Sequence, residues 1–357
     1  MKIHRRFVDQ VAYAENAQRT VRLPRNYFLV GLDLMLIAKL SRSATTPDGG
    51  ESKDSAPAQL IKNLLIRANG SDVLKSIDME TLHRKNELQY GTRPHIYSEA
   101  WSGYADKSEV TLKVAAYLPF AMPRAVREID TILPTANKSS LDLIVTWGTG
   151  LDTMNNAYPG GGGSAESVTV HEATLLVHAD EYIGQPPDVA QMMFQEFYQE
   201  HQVTAASNRF RIELPVGKGL LYRGLLLKTH SDGNQVDTIL PFGLANTNTI
   251  TLKSGTEVYL HEIAGCLQGA NRLNHAIQVP ERIGSAAALN HRLQELLLEG
   301  YYYIDFCRDG RLRESLDSSV LSDLILELEV AHPGTLDFVT VYPDTLLLPA
   351  VTTPAAT

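Results

Sequence analysis

Hydrophobic and polar positions alternate along most of the chain, and this pattern predicts an all-β protein. In segment 110–116, valine and leucine alternate with Thr111 and Lys113, and segment 324–330 alternates in the same way. A period of two places one set of side chains in a core and the other toward solvent. Clusters of Gly, Pro, Asn and Asp separate further predicted strands, which cover residues 28–40, 61–67, 141–147, 168–178, 249–260 and 335–342.

A helical period is rare. Apolar residues recur every three or four positions in three segments, 3–15, 187–201 and 285–298, which we predict to be short amphipathic helices. Strands and helices do not alternate regularly, which argues against a doubly wound parallel sheet. Polar, Gly-rich or Pro-containing composition predicts loops over 41–58 and 158–164 and a frayed tail over 349–357.

The chain contains an internal repeat. Tyr117 and Phe120, followed by Arg127 and Glu128, match a second set of residues at one constant shift of 186 positions. The second set is Tyr303, Phe306, Arg313 and Glu314. The repeat predicts two copies of one β domain, over residues 1–182 and 183–357.

Shorter matches flank this block in the same order in both halves. They pair 21–24 with 212–215, 30–34 with 223–227, 70–73 with 255–258 and 143–145 with 324–326. Each half holds about eight strand candidates and opens with one of the predicted helices. Eight antiparallel strands packed as two sheets form a jelly roll, so we predict two tandem eight-stranded jelly-roll barrels with short flanking helices.

This duplicated architecture, over about residues 3–349, resembles the double jelly-roll major capsid proteins of tailless icosahedral viruses, bacteriophages included. The resemblance implies a homotrimer whose six barrels form a pseudo-hexagonal capsomer of the shell. It also implies contacts with other capsid or vertex proteins, a place in the virion and assembly in the host cytoplasm. Alternatives are another virion β protein, such as a spike, vertex or tail component, and a two-barrel (bicupin-like) enzyme or carbohydrate-binding protein.

Basic residues at the start of the chain are candidate contacts with the inside of a shell. Lys2, Arg5 and Arg6 lie in the first predicted helix, and in several members of the family this helix is near an internal membrane. Anionic lipid headgroups or a packaged genome would attract this charge. The alternative is a helix that docks on a barrel with its charges in solvent.

The repeated Arg-Glu pairs are candidate contacts between subunits. Arg127 and Glu128 follow one strand, and Arg313 and Glu314 follow its counterpart. Pseudo-equivalent positions in two barrels can meet equivalent neighbours in a capsomer. The alternative is a pair of surface loops of little energetic value.

Composition narrows the functional classes. The 357 residues carry a net charge of −9, which disfavours sequence-specific grip on duplex nucleic acid. The two cysteines exclude a disulfide framework, and no apolar run has the length of a signal peptide or a membrane span.

Sequence motifs for catalysis are missing as well. The chain has no His-x-His pair of the kind that cupins use for metal, no Gly-x-Ser-x-Gly elbow and no Walker loop. We therefore predict a structural protein without catalytic residues, cofactor or metal.

Overall fold

Two β-barrels follow one another along the chain, and each consists of two packed antiparallel sheets. The computed structural model describes residues 3–43, 56–91, 94, 96–98, 109–153, 167–184, 192–231, 234–235, 239–240, 242–243, 246–275 and 300–348. The all-β prediction with tandem jelly rolls is confirmed.

The first barrel comprises strands β1 to β9 and one helix, α1. Their bounds are β1 (Ile3–Ala12), β2 (Gln18–Arg22), β3 (Phe28–Ser43), β4 (Ile61–Ala68), β5 (Asp72–Ile77), α1 (Met79–Tyr90), β6 (Ile96–Ser98), β7 (Val110–Pro119), β8 (Leu141–Trp147) and β9 (Ser167–Tyr182). One sheet has the order β1-β9-β3-β7-β6 and the facing sheet the order β5-β4-β8-β2. Apolar residues on alternate positions of both sheets fill the space between them, as the period of two predicts.

The second barrel repeats this order. Its bounds are β10 (Met193–Glu196), β11 (Gln199–Val203), β12 (Ser207–Glu213), β13 (Leu220–Ser231), β14 (Asn234–Gln235), β15 (Phe242–Gly243), β16 (Asn246–Thr247), β17 (Thr249–Ser254), β18 (Glu257–Ile263), α2 (Ala264–Asn274), β19 (Tyr301–Asp305), β20 (Leu316–Asp317), β21 (Ile325–Val330) and β22 (Asp337–Leu347). In one sheet, β10 and β11 both pair with β22, β22 pairs with β13, and β13 pairs with β19. The facing sheet has the order β12-β21-β17-β18.

A glycine and a tyrosine occupy matching places in both barrels. Gly31 of β3 pairs with Pro119, two residues after Tyr117, and Gly224 of β13 pairs with Asp305, two residues after Tyr303. In each case the tyrosine ring occupies the space that a Cβ atom at the glycine position would need. The repeated Tyr117 and Tyr303 are therefore true structural equivalents.

The hairpin before each helix is repeated down to its irregularities. A β-bulge lies at Leu74 in β5 and at Tyr259 in β18. Gly70 and Gly255 form the two turns with positive φ angles, which glycine adopts without steric cost. Because these features share one spacing, positions in β5 and α1 map onto positions in β18 and α2 without gaps.

The prediction of a helix over 3–15 is wrong, because residues 3–12 form strand β1, paired with β9. Ile3, Phe7 and Val11 are four apart, a spacing that fits one face of a helix but also one face of a strand. A bulge after Phe7 then turns Val11 into the core and leaves Ile3 and Phe7 exposed.

Other predicted elements differ in detail. The helix predicted over 187–201 is wrong over 193–196 and 199–201, which belong to strands β10 and β11. The strand predicted over 249–260 is the hairpin of β17 and β18. Pairing aligns Leu143 with Leu326, two residues from the match read in the sequence. The helix predicted over 285–298 and the tail lie outside the described residues, as do most of the two predicted loops.

Candidate functional site

Helix α1 lies in the junction between the barrels and builds most of it. Residues 79–89 of this helix are all buried although most are polar. Asp78 caps its first turn by accepting a hydrogen bond from the Thr81 amide at 2.7 Å, and Gly91 ends it in a left-handed conformation. The sequence folds into a helix here because of these caps, since its apolar residues alone define no face.

Apolar contacts join the barrels around this helix. The hydrophobic core of the first barrel continues into the second through Leu226 and the buried rings of Tyr301, Tyr303 and Tyr342. One pair of residues, Glu196 of β10 beside Lys75 of β5, joins a sheet of the second barrel to a sheet of the first. The junction is therefore a packed interface, which disfavours hinge motion between the barrels.

The first half of α1 contacts the second barrel through charge-assisted hydrogen bonds. The Lys228 ammonium donates to Glu80 at 2.7 Å and lies 3.6 Å from Asp78. The Tyr301 hydroxyl donates to Glu80 at 2.5 Å, and the Tyr342 hydroxyl donates to Asp78 at 2.7 Å. Bonds that involve an ionised group are about twice as strong as neutral ones, so this end of the helix is firmly attached.

A buried quartet of charges lies at the second half of α1. Glu196 accepts from Lys75 at 2.5 Å and also from Lys85, and Lys85 donates in addition to Asp344. Side chains of all four residues are at most 1% exposed. Two ammonium groups and two carboxylates balance, which meets the requirement that buried charges be paired.

Electrostatics of the quartet follow from this pairing. Burial raises the pKa of Glu196, but attraction by Lys75 and Lys85 outweighs it and brings the pKa down to about 2. Burial lowers the pKa of Lys85, but Asp344 and Glu196 outweigh it and the net shift is upward. Glu196 and Lys85 are therefore both ionised at neutral pH.

A third cluster completes the junction near the end of α2. The Arg223 guanidinium donates to Tyr303 at 2.8 Å and to Asp305 at 2.5 Å. His275 lies 2.6 Å from Arg124 of the first barrel and 3.8 Å from Asp305. Burial is the main cause that lowers the pKa of His275, to about 4. The imidazole is thus neutral at pH 7.

The same sheet face of the first barrel is open in the part of the chain that the structure describes. Arg5 of β1 donates to Asp180 at 2.9 Å and lies 2.6 Å from Asp33, while Arg6 lies 3.5 Å from the buried Glu181. The predicted basic residues Arg5 and Arg6 are therefore paired with carboxylates of their own barrel. Lys2 lies outside the described residues, and a contact of these three residues with the inside of a shell stays a prediction.

An open pocket lies beside Arg5. It encloses about 390 Å³ and is lined by Ile3, Arg5, Val30, Asp33, Tyr90, Tyr117, Ala121, Pro123, Glu128 and Asp180. Burial raises the pKa of Glu128, whose carboxylate accepts no hydrogen bond among the described residues. The pocket thus combines aromatic walls with a carboxylate that pairs with none of the described residues.

The predicted Arg-Glu pairs occupy equivalent loops. Arg127 precedes a short 3-10 turn and lies 3.2 Å from Asp130, while Arg313 and Glu314 belong to the matching turn and are exposed. The two loops also meet each other, because the Val126 amide donates to the Gly310 carbonyl at 3.0 Å. Their role between subunits stays a prediction.

Sequence reasoning missed the junction residues. A run of charged residues inside α1, with Lys85 and Glu87 among them, has the appearance of a solvated segment. The signal that was available is the Asp78 cap followed by a Gly91 stop, which marks a helix between two strands.

These sites contain no arrangement typical of catalysis. Within the described ranges, no group of three His, Cys, Asp or Glu side chains is placed to hold a metal ion. No helix in the described part of the chain is long and apolar enough to cross a membrane. What the geometry does provide is a rigid joint between two equivalent barrels and a second, open sheet face.

This architecture is the double jelly-roll fold of viral major capsid proteins. The crystal structure of the STIV MCP superposes over 100% of both chains, with a TM-score of 0.71 and 16% identity. The atomic structure of Sulfolobus Turreted Icosahedral Virus covers 98% of this chain and 92% of that chain, with a TM-score of 0.71 and 14% identity. The major capsid protein P2 from bacteriophage PM2 covers 98% and 99%, with a TM-score of 0.54 and 12% identity.

The likeness is one of fold. No protein-family model matches the chain, and no curated protein matches it. The resemblance read from the repeat is confirmed at the level of architecture.

Proposed function

We propose that this chain is the major capsid protein of an icosahedral virus and assembles as a homotrimer. The observation that carries this proposal is the rigid junction, which holds two equivalent barrels side by side over the full length shared with capsid proteins. Three such chains supply six similar wedges, and a closed ring of six wedges packs on a near-hexagonal lattice. The protein is then a structural component of the virion, assembled in the host cytoplasm, and not an enzyme.

Several contacts within the shell follow from this proposal. The loops with Arg127, Glu128, Arg313 and Glu314 occupy equivalent places in the two barrels, which supports a role at pseudo-equivalent contacts between subunits. The basic start of the chain, with Lys2, remains the candidate for an inner surface of lipid or genome.

Mass measurement by multi-angle light scattering tests this function. The expected result is a particle of three times the 39.4 kDa chain mass, or larger assemblies built from it, with a six-sided outline in negative stain. A stable monomer that binds one equivalent of transition metal would contradict the proposal and favour the two-barrel enzyme.

A further inference from the structure

Within the described residues, the chain uses one half of a repeated interface and leaves the other half open. We define the helix surface of a barrel as the outward face of α1 or α2 with the strand before it. We define the sheet surface as the outer face of the sheet that carries Tyr117 or Tyr303. Inside the chain, the helix surface of the first barrel covers the sheet surface of the second.

The two helices dock on their own barrels in the same way. His83 of α1 contacts the Ala115 carbonyl at 2.9 Å, and Gln268 of α2 donates to the Tyr301 carbonyl at 3.4 Å. Ala115 and Tyr301 stand at the shift of 186 residues that relates Tyr117 to Tyr303. The helices therefore face their own barrels in the same orientation.

One leucine occupies the same outward position on both helices, and its exposure differs sharply between them. Leu88 of α1 is 1% exposed, whereas its counterpart Leu273 of α2 is 84% exposed. Cys266 and Gly269, on the same face of α2, are exposed too. The contrast between buried Leu88 and exposed Leu273, and not the exposure alone, points to a partner that lies outside the described residues.

The two sheet surfaces carry the same pocket in two states. Beside Tyr303 the pocket encloses only about 10 Å³, and Leu88, Gln89 and Arg124 of the first barrel form part of its wall. Beside Tyr117 the pocket is open at about 390 Å³. Register pairs show that the linings correspond: Ile3 matches Phe194, Val30 matches Arg223, and Asp180 matches Asp344.

The charges on the open sheet surface and on the exposed helix surface both differ from those at the corresponding contact within the chain. Opposite Asp180, the first barrel has Arg5 where the second barrel has Glu196 opposite Asp344. Asp180 is thus neutralised within its own barrel and needs no cation from a neighbour. In agreement, the counterparts of Lys75 and Lys85 on the second helix surface are Leu260 and Ala270.

We propose that a second copy of this chain covers the open sheet surface and inserts Leu273 of its α2 into the pocket beside Tyr117. Leu260, Ala270 and Leu273 then contact the first barrel of the neighbour as Lys75, Lys85 and Leu88 contact the second barrel within the chain. The contact joins unlike surfaces, so it generates a ring or a filament. Closure after three copies rests on the trimer proposed above.

Substitutions of Leu273 test this contact. Leu273→Asp removes a leucine from the pocket and adds a carboxylate near Asp33 and Glu128. We expect dissociation of the trimer to increase about 10- to 100-fold for each contact, with a folded monomer as product. Leu273→Met preserves the trimer. Val320→Asp is the matched control, because Val320 is 79% exposed and lies outside the proposed interface.

Crosslinking tests the geometry of the same contact. Thr81 lies 3.3 Å from the Tyr342 hydroxyl, and the counterparts of these residues are Cys266 and His178. A short bis-maleimide is therefore expected to join native Cys266 to a His178→Cys neighbour and give covalent species up to the trimer. Glu172→Cys is the control, since it lies on the same face of β9 about 20 Å away.

The outcomes separate this inference from the proposed function. A trimer that survives Leu273→Asp and gives no crosslink through His178→Cys overturns the proposed contact and leaves the trimer standing. A wild-type protein that stays monomeric at every concentration overturns both. The contact is established if Leu273→Asp loses the trimer while Val320→Asp keeps it, and if His178→Cys gives the crosslink while Glu172→Cys does not.

Discussion

The sheet surfaces around Tyr117 and Tyr303 share a backbone but not an electrostatic design. Around Tyr303, two neighbouring acids, Glu196 and Asp344, are balanced by lysines that come from the other barrel. Around Tyr117, Arg5 takes the place of Glu196 and balances Asp180 within the same barrel. The acids of the sheet surface around Tyr303 are therefore paired only when the other barrel covers them. Asp180, on the sheet surface around Tyr117, is paired without such a cover.

This difference fits what each face has to do. The two barrels of one chain meet during folding. The lysines of the first barrel can therefore neutralise the buried acids of the second barrel before either is exposed to an assembly partner. On the open face, Arg5 pairs with Asp180 of the same barrel, so this acid needs no cation from a neighbour before assembly. Apolar contacts by Leu260 and Leu273 then suit a contact that forms later.

The largest expected effect is the loss of Lys85. Lys85→Ala leaves Glu196 and Asp344 close together in the buried junction with Lys75 as the remaining lysine of the quartet. We therefore expect the free energy of unfolding to fall by about 3 to 5 kcal/mol. Urea denaturation measures the change. Lys39→Ala is the control, because its pair with Glu109 is exposed and should leave stability nearly unchanged. An equal effect of both substitutions would contradict the buried-joint account.

Acid should weaken the covered junction through His275. Its pKa is about 6.5 in the unfolded chain and about 4 in the fold, so the unfolded state binds more protons between these values. Stability is intact above pH 6.5 and falls by up to about 3 kcal/mol as pH drops to 4.

The counterpart of His275 in the first barrel is Tyr90, which does not titrate in this range. Denaturation of His275→Gln across the same pH range should lack this component. If the variant and the wild type lose stability in parallel, the neutral buried imidazole is ruled out as its cause.

The repeated glycines should differ in sensitivity. In Gly224→Ala the new methyl group meets the buried Tyr303 ring and lies 2.8 Å from the Ile304 carbonyl oxygen, so we expect a loss of about 1 to 3 kcal/mol. In Gly31→Ala the obstacle is the half-buried Tyr117 side chain, which faces the open pocket and has room to move, so the loss is smaller. Gly217→Ala, with free space around it, is the control in thermal unfolding.

The smallest effect is expected for Arg5. Arg5→Ala removes ion pairs in which the arginine is 62% exposed, so we expect a loss of about 1 kcal/mol in urea denaturation. A loss as large as that of Lys85→Ala would mean that the two sheet surfaces are electrostatically alike.

Much of the fold could be predicted from the sequence because alternation reports strands directly. The segment 110–116 and the shift that relates Tyr117 to Tyr303 led to the right strands and the right repeat. The start of the chain could not be read, since Ile3, Phe7 and Val11 fit a helix face and a strand face equally, and only pairing with β9 decides between them.

The junction was beyond reach for a different reason. Polar residues such as Glu80 and Lys85 are normally exposed, and nothing local shows that a second barrel will cover them. Their partners lie far away along the chain, as Asp344 does for Lys85, so the ion pairs exist only in the tertiary structure.

A reconstruction of the assembled oligomer by electron cryomicroscopy shows the contact between neighbouring chains itself. We expect three chains in a ring of six barrels, with Leu273 of each chain seated beside Tyr117 of the next. A ring in which Leu273 is exposed to solvent, or in which α2 contacts any other surface, would contradict the proposed contact.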